Sequence, residues 1–312
     1  MTINQIYALA LKMGIEADPR PRARINKILG REKKKYQNLK GVKREIFDRA
    51  RIRNPYADTR ILFGNGDKVI SKVMTGVDIG SGEVLLAQKM GVDLLIAHHP
   101  LGIALAGLDN VMELQADLLA SYGIPINIAE SLLEIRMSEV ARGVAAVNHQ
   151  RIVDLAKIAG IALMCIHTPC DNLVYQEVNK KIVQKEKTLD VVGDIMDLLY
   201  TFPEYKEAAK LGAGPALFTG KRGHRCGKIA LTELTGGTEG NKEMYKFMAN
   251  AGIGTIIGMH MSEPHRREAE KYHINVIIAG HIASDSIGMN VFLDELEKKG
   301  IKIIPCSGLI RK

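Results

Sequence analysis

The chain has 312 residues, of which 46% are hydrophobic and 25% charged, a balance typical of a globular protein rather than a disordered or fibrous one. The length predicts two domains, or one domain with a large insertion. The sequence contains no apolar run of the roughly 18–20 residues that span a bilayer, and its four cysteines form no C-x-x-C pair. We therefore expect a cytoplasmic protein that has reduced thiols and no membrane segment.

The excess positive charge lies near the amino end. The net charge is +8, and residues 1–60 contain 16 Lys and Arg against 6 Asp and Glu. We interpret residues 1–67 as a basic helical extension, in which residues 20–60 could bind nucleic acid through phosphate contacts. A solvated charged helix is the simpler interpretation, because Tyr36 is the only aromatic residue within the basic run 31–44 and single-strand binding usually needs several.

From about residue 68, short β-branched runs alternate with helical segments. This pattern predicts an α/β fold with mostly parallel or mixed sheets covered by helices. We divide it into a first α/β half (68–187), an irregular middle segment (188–226) and a second α/β half (227–312). The expected strands are, in order, KVMTGV, DLLIA, IPINIA, ALMCI, KIALTEL, TIIGM, INVIIAG and IKIIPCS. Helices are expected from about residue 81, at 110–123, 131–160 and 174–187, after a tight turn at 236–240, from about 264, and after 281.

Three clusters of histidine and carboxylate follow apolar strands of this pattern. They follow DLLIA, ALMCI and INVIIAG, and comprise His98 and His99, then His167 and Asp171, and then His281 and Asp285. Open α/β sheets place ligand sites at the carboxyl ends of their strands, and imidazole with carboxylate suits Zn, Fe or Mn. One such histidine alone would more simply be a polar side chain at the sheet edge. Together, the clusters predict a site for two divalent ions.

The strings that carry these clusters resemble a known family. DLLIAHHPLG, HTPCD and NVIIAGHIASDSIGMNVFLDELEKKGI look like the dinuclear-metal-centre family, the Nif-three-like proteins also described as homologues of GTP cyclohydrolase type 2. The resemblance covers much of residues 68–312, and it implies a Nif-three-like α/β fold and a homo-oligomer, commonly a toroidal hexamer. It implies that His167 is a catalytic group or a further ligand, and that the two ions are bound by His98, His99, Asp171, His281 and Asp285.

The function that this resemblance implies is a dinuclear metal-dependent hydrolase for a nucleotide-like substrate, with ring opening of the GTP cyclohydrolase type as one form. Two alternatives stay open. One is a metal-dependent phosphoesterase. The other is a metal-binding regulatory or scaffold protein without turnover, which would contact nucleic acid or protein through the basic amino end.

One ligand position departs from the family pattern. The chain has Asp285 where the family usually has glutamate, and the shorter side chain must still reach both ions. Either the helix after His281 lies further inward, or one ion is weakly held. From the sequence we expect the second outcome.

Other polar residues are weaker candidates. His260 and Glu263 follow the strand TIIGM and could bind substrate, and Lys221 and Arg222 lie in a basic loop that could bind phosphate. Asp78 ends the strand next to DLLIA, where it could orient a ligand histidine or simply be a surface acid.

Overall fold

The structure, a computed structural model, describes residues 1–311. Within this range, helices surround two mixed β-sheets, which confirms the predicted α/β class. The helices are α1 (Ile3–Ala17), α2 (Arg22–Asn38), α3 (Val42–Glu45), α4 (Ser81–Lys89), α5 (Gly102–Ala106), α6 (Leu108–Val111), α7 (Glu113–Ser121), α8 (Ile126–Ala145), α9 (Arg151–Ala159), α10 (Thr168–Lys185), α11 (Val192–Leu199), α12 (Pro203–Lys210), α13 (Met244–Asn250), α14 (Glu263–Lys271) and α15 (His281–Glu297). No helix in residues 1–311 combines the length and apolar character that crossing a bilayer requires.

The strands form two separate sheets. They are β1 (Arg60–Phe63), β2 (Lys72–Gly76), β3 (Leu94–Ala97), β4 (Ala162–Cys165), β5 (Ala216–Thr219), β6 (Lys228–Leu231), β7 (Ile253–Gly258), β8 (Asn275–Ile278) and β9 (Lys302–Cys306). The first sheet has the order β1-β4-β3-β2-β9 and the second the order β5-β8-β7-β6. In each sheet one edge strand is antiparallel to its neighbour, β1 to β4 and β5 to β8, and the other pairs are parallel.

The chain order of the strands departs from the expected division into halves. Strand β9, near the end of the chain, pairs with β2 and so completes the first sheet. The middle segment 188–226, expected to be irregular, contains α11, α12 and β5. Pro203 lies in the first turn of α12, where the missing N–H costs no helical hydrogen bond. The run IPINIA is helical from Ile126 onward, because Pro125 is the residue at which α8 begins.

The first helix of the amino-terminal segment packs against the first sheet. Ile3, Ile6 and Ala10 on α1 are buried in one core cluster with residues of β2, β3 and β4. A Cβ at Gly14 would lie 2.6 Å from the Cα of Pro169, so α1 packs closely against the start of α10. Helices α2 and α3 have the expected exposed, basic character: Ile25 is the one buried residue of α2, and α3 has none.

The two sheets bring their carboxyl ends to one place. The parallel register of β2, β3 and β4 aligns Gly76, Ala97 and Cys165, so the residues after these strands share an edge. Helix α15 begins just after β8 of the second sheet. The His281 ring, at the start of α15, lies with its centroid 5.1 Å from that of the His99 ring, which follows β3. The candidate site therefore lies between the two sheets.

Candidate metal centre

His98 and Asp171 form the innermost part of the site, and both side chains are buried. The Nδ1 of His98 lies 3.0 Å from the carbonyl oxygen of Ile166, to which it donates when the proton is on Nδ1. This bond turns Nε2 toward the site, where it lies 3.2 Å from Oδ1 of Asp171. The ring thus presents a lone pair to the carboxylates, as a metal ligand must.

Asp285 lies between the histidines of both sheets. Its Oδ1 is 3.4 Å from Nε2 of His98, and its Oδ2 is 3.4 Å from Nε2 of His99 and 3.6 Å from Nε2 of His281. The side chain is therefore placed as a bridge, with one oxygen on each side.

The helix α15 packs closely against α10 beside Asp285. A Cβ at Gly288, one turn further along, would overlap the carbonyl oxygen of Cys170 on α10. Only glycine allows this approach of the two helices. The carboxylate of Asp285 reaches histidines of both sheets from this position, and the weaker binding of one ion stays a prediction.

Carboxylates orient two further histidines of the site. Asp78 accepts from Nδ1 of His99 at 2.7 Å, so it does orient a predicted ligand, and Asp58 accepts from Nδ1 of His167 at 2.7 Å. The hydroxyl of Thr168 donates to the same oxygen of Asp58 at 2.6 Å. Such bonds fix the tautomer and turn Nε2 toward the centre. The Nε2 of His167 lies 3.7 Å from Oδ2 of Asp171.

The donor set fits divalent metal ions. Four of its atoms are buried without a hydrogen-bond partner in the described chain: Nε2 of His98, Oδ1 of Asp171 and both carboxylate oxygens of Asp285. They lie near one another but are not aligned for hydrogen bonds. Ligands about 2.1 Å from a tetrahedral ion are about 3.4 Å apart, which matches the observed spacing. Buried polar atoms in this state are costly unless something satisfies them, and a cation would.

The metal-free site concentrates charge in a buried place. Burial opposes protonation of His98, but the nearby carboxylates of Asp285 and Asp171 raise its pKa well above the usual value. Burial likewise disfavours ionised Asp285, yet the neighbouring His98 and His99 hold the pKa of this carboxyl far below its usual range. Burial and the other histidines lower the pKa of His281. Protons on these rings and metal ions would therefore compete for the same carboxylates.

A second group of polar residues lines the side of the site formed by the second sheet. The His260 ring, which follows β7, lies with its centroid 5.1 Å from that of His281. Glu233, which follows β6, has Oε2 3.9 Å from Nδ1 of His260. Burial raises the pKa of the Glu233 carboxyl. These residues line a small cavity together with His167 and Asp285.

Three of the predicted substrate-binding residues lie elsewhere. Glu263 is exposed and bonds to Arg266 and Arg267 along α14. Lys221 and Arg222 follow β5, which runs antiparallel to β8, so they lie beyond the amino end of β8 while His281 follows its carboxyl end. Arg222 bonds there to Asp197 at 2.7 Å. The structure does not bring these side chains to the centre.

Sequence reasoning missed two acidic residues of the site. Asp58 lies 109 residues before His167, and no local pattern connects them. Glu233 lies within the predicted strand KIALTEL, whereas β6 ends at Leu231, so the sequence pattern did not mark it as a residue that follows a strand.

Solved structures include one close relative in fold. The NIF3 superfamily protein from Sphaerobacter thermophilus is 29% identical to the chain, with 83% of this chain and 94% of that protein covered at a TM-score of 0.76. Reduced HcgD from Methanocaldococcus jannaschii is 16% identical, with coverages of 78% and 85% and a TM-score of 0.41. The Bacillus cereus protein related to NIF3 is 11% identical, with coverages of 82% and 92% and a TM-score of 0.43.

No protein-family model matches the sequence, and no curated protein matches it either. The assignment therefore depends on the match to the Sphaerobacter protein, whose length the chain spans almost completely. The motifs that suggested the family lie together in this fold, around one buried cluster of histidine and aspartate. The predicted resemblance is confirmed at the level of the fold: the chain has a NIF3-like fold.

Proposed function

We propose that the chain is a dinuclear metal-dependent hydrolase that acts on a nucleotide-like substrate. The observation that carries this proposal is that the ligand-type atoms form overlapping groups of three around the centre. Two of these groups, His98 with Asp171 and Asp285 and His99 with His281 and Asp285, share Asp285 alone, and a third joins His98 and His99 to His167. A structural zinc needs one closed set of four ligands, whereas two groups sharing a carboxylate suit a pair of ions with open positions.

Each of the two groups that share Asp285 would hold one ion, and Zn, Fe and Mn all suit its nitrogen and oxygen donors. Divalent ions bound there would supply Lewis-acid activation of water and of the substrate. The chain contributes the orientation of their ligands. The bonds from His98 to Ile166 and from His99 to Asp78 keep Nε2 of both rings directed at the centre.

His167 is placed to handle a proton. Burial lowers its basicity, but the charge of Asp171 and the hydrogen bond to Asp58 raise its pKa above the usual value. Its Nδ1 is bonded to Asp58, so Nε2 is the atom that faces the cavity. A hydrolytic step needs a group that gives a proton to the leaving atom, and we assign this role to Nε2 of His167.

The cavity beside the centre favours ring opening over phosphoester cleavage. Its lining in the described chain contains no Lys or Arg, and includes Gln115, Thr235, Thr238 and Met259. Such a surface suits a heterocyclic base more than an extended polyphosphate. The phosphoesterase alternative depended on Lys221 and Arg222, which lie at the other edge of the second sheet.

Metal analysis and a turnover screen test this proposal together. We expect the metal-replete protein to contain at least two divalent ions per chain, and His98→Ala or His281→Ala to lose at least one. GTP and a set of phosphoesters would then be screened with the loaded protein and with Asp171→Asn. Glu263→Gln is the control, since Glu263 is exposed and outside the cavity. Zero metal in replete buffer, or unchanged loading in both histidine variants, would refute the metal site.

A second function is proposed for residues 20–60, because α2 presents an exposed run of lysines. Lys33, Lys34 and Lys35 are exposed there, whereas Arg24 and Arg51 are paired with acidic residues. We propose that this face binds nucleic acid through phosphate contacts. Fluorescence anisotropy at two salt concentrations should show binding that weakens steeply with salt and is lost when the three lysines become glutamate. Lys187→Glu, at an exposed lysine elsewhere, is the control.

A further inference from the structure

We propose that Glu233, Glu239 and His260 form a separate site for one divalent cation beside the dinuclear centre. These residues offer two carboxylate oxygens and one imidazole nitrogen within 4.8 Å of one another. They lie at the carboxyl ends of β6 and β7, whereas the dinuclear ligands follow β3, β4 and β8. The two ions of the proposed hydrolase do not require this third group, so the inference goes beyond that function.

In each of the two carboxylates, one oxygen accepts a hydrogen bond from a backbone N–H and the other does not. Oε1 of Glu233 accepts from the amide N–H of Gly240 at 3.1 Å, and Oε1 of Glu239 accepts from the amide N–H of Ser262. The other oxygen of each faces only a histidine, since Oε2 of Glu239 lies 3.7 Å from Nε2 of His265. One anchored oxygen and one available oxygen is the arrangement expected of a preorganised metal ligand.

Neither carboxylate has a strong cationic partner. Their side chains are only 15% and 13% exposed, and in the described chain no Lys or Arg lies within 4 Å of either carboxylate. Arg136, the nearest guanidinium that bonds to this segment, donates from Nε to the backbone carbonyl oxygen of Glu239 and not to its carboxylate. Two largely buried carboxylates whose close charge partners are only histidines repel each other, and a divalent cation between them would remove that cost.

A second, independent observation comes from Thr235. This residue is 5% exposed and lines the cavity with Glu233 and His260, yet its Oγ1 has no hydrogen-bond partner in the described chain. A hydroxyl oxygen is a hard donor that can bind a divalent cation or a water in its shell. The unpaired Oγ1 of Thr235 thus belongs to a residue that lines the same cavity as Glu233 and His260.

The ligand chemistry selects the class of ion. Two carboxylate oxygens, one imidazole and a hydroxyl suit Mn²⁺, Fe²⁺ or Zn²⁺ and contain no soft thiolate. A cation there would supply the positive charge that the cavity lining lacks, next to the His281 ring. An anionic group of a ligand would then bind at this end of the cavity. This role, unlike the site itself, depends on the proposed function.

Manganese counting tests the site without any turnover. The full chain would be stripped of metal and titrated with Mn²⁺, with free Mn²⁺ measured from its electron paramagnetic resonance signal. We expect Glu233→Gln and His260→Gln each to bind one ion fewer per chain than wild type. Glu263→Gln, on the segment just after His260, should bind the same number as wild type.

The test compares the number of Mn²⁺ ions bound by wild type with the number bound by each variant. The difference does not depend on how many ions the dinuclear centre holds. His98→Ala should still bind the ion that Glu233→Gln loses, and the double variant should lose both contributions. His260 is about one-third exposed, so glutamine there should leave the fold intact, which circular dichroism would check. Equal Mn²⁺ counts in wild type, Glu233→Gln and His260→Gln would overturn the proposal and favour a metal-free proton relay of Glu233 and His260.

Discussion

Asp285 occupies a position between the histidines of both sheets. The side chain is fully buried and its two oxygens already face these histidines. An added methylene would push the carboxylate toward the histidine rings, so Asp285→Glu should weaken metal binding. Isothermal titration of protein stripped of metal should show at least a tenfold loss of affinity for one ion. Tighter binding in the variant would instead support the expectation from the sequence that Asp285 holds one ion weakly.

Asp58 is the residue whose contribution should depend most clearly on pH. Burial raises the pKa of its carboxyl, but the hydrogen bond and charge of His167, with Thr168 and Arg60, lower it below the usual value of 3.8. A depressed pKa stabilises the fold above the unfolded-state pKa, and this stabilisation is lost as the pH falls through the folded-state pKa. Stability should therefore decline below about pH 4.

The matching variant is Asp58→Asn, studied with a chelator so that metal release does not contribute. It keeps the shape but removes the charge, and we expect a loss of about 1.5–3 kcal/mol in the free energy of unfolding at pH 7. Urea unfolding at pH 7 and pH 3.5 should show that the variant loses less stability on acidification than wild type. Asp154→Asn, which alters an exposed pair with Lys157, is the control. Parallel pH profiles in wild type and Asp58→Asn would contradict this account.

At the scale of the elements, the contact between α10 and α15 determines the position of the bridging carboxylate. Alanine at Gly288 would force the two helices apart at Cys170, which we expect to cost about 1–3 kcal/mol and to withdraw Asp285 from the site. The matched control is Gly143→Ala in α8, where a Cβ meets nothing within 4 Å and should stabilise the helix by roughly 0.5–1 kcal/mol. Thermal unfolding and metal titration of both variants measure the two effects. A Gly288→Ala protein with wild-type metal affinity would refute this role of the contact.

The sequence predicted those elements whose local pattern is unambiguous. Strands β3 and β4 are continuous apolar runs that are buried along their whole length, and the histidines after them were placed correctly. The run IPINIA was assigned as a strand because a short apolar run does not distinguish a strand from a buried helix, and Pro125 in fact begins α8. The helical spacing of Ile3, Ile6 and Ala10 also predicts a buried face, but the charge count of the whole segment concealed it.

Contacts between distant parts of the chain could not be predicted in this way. The pairing of β9 with β2 joins residues about 230 positions apart, as the contact of Cys306 with the carbonyl of Thr75 shows. The bond from His167 to Asp58 is of the same kind. Neither leaves a periodic signal in the sequence, because each depends on how complete elements pack. The candidate ligands were predictable for the opposite reason, since each follows a recognisable strand.

Metal binding should increase the free energy of unfolding of the whole molecule, because the ligands come from both sheets. His98, His99 and Asp171 follow strands of the first sheet, whereas His281 and Asp285 lie on the helix that follows β8 of the second. Ions that bind only when these parts are assembled stabilise the folded state by mass action. At a concentration one hundred times the dissociation constant, one ion adds about 2.7 kcal/mol.

For a chain of this size that stabilisation corresponds to a rise in Tm of roughly 3–5 °C for the first ion. Differential scanning calorimetry of chelator-treated protein, with and without added Zn²⁺ or Mn²⁺, should show this increase. The double variant His98→Ala with His281→Ala, which loses one ligand from each group of three, should respond much less. Equal shifts in the wild type and the double variant would mean that the metal acts elsewhere. A Tm that does not change in the wild type would mean that the two sheets are held together by packing alone, and that the buried carboxylates between them have another partner.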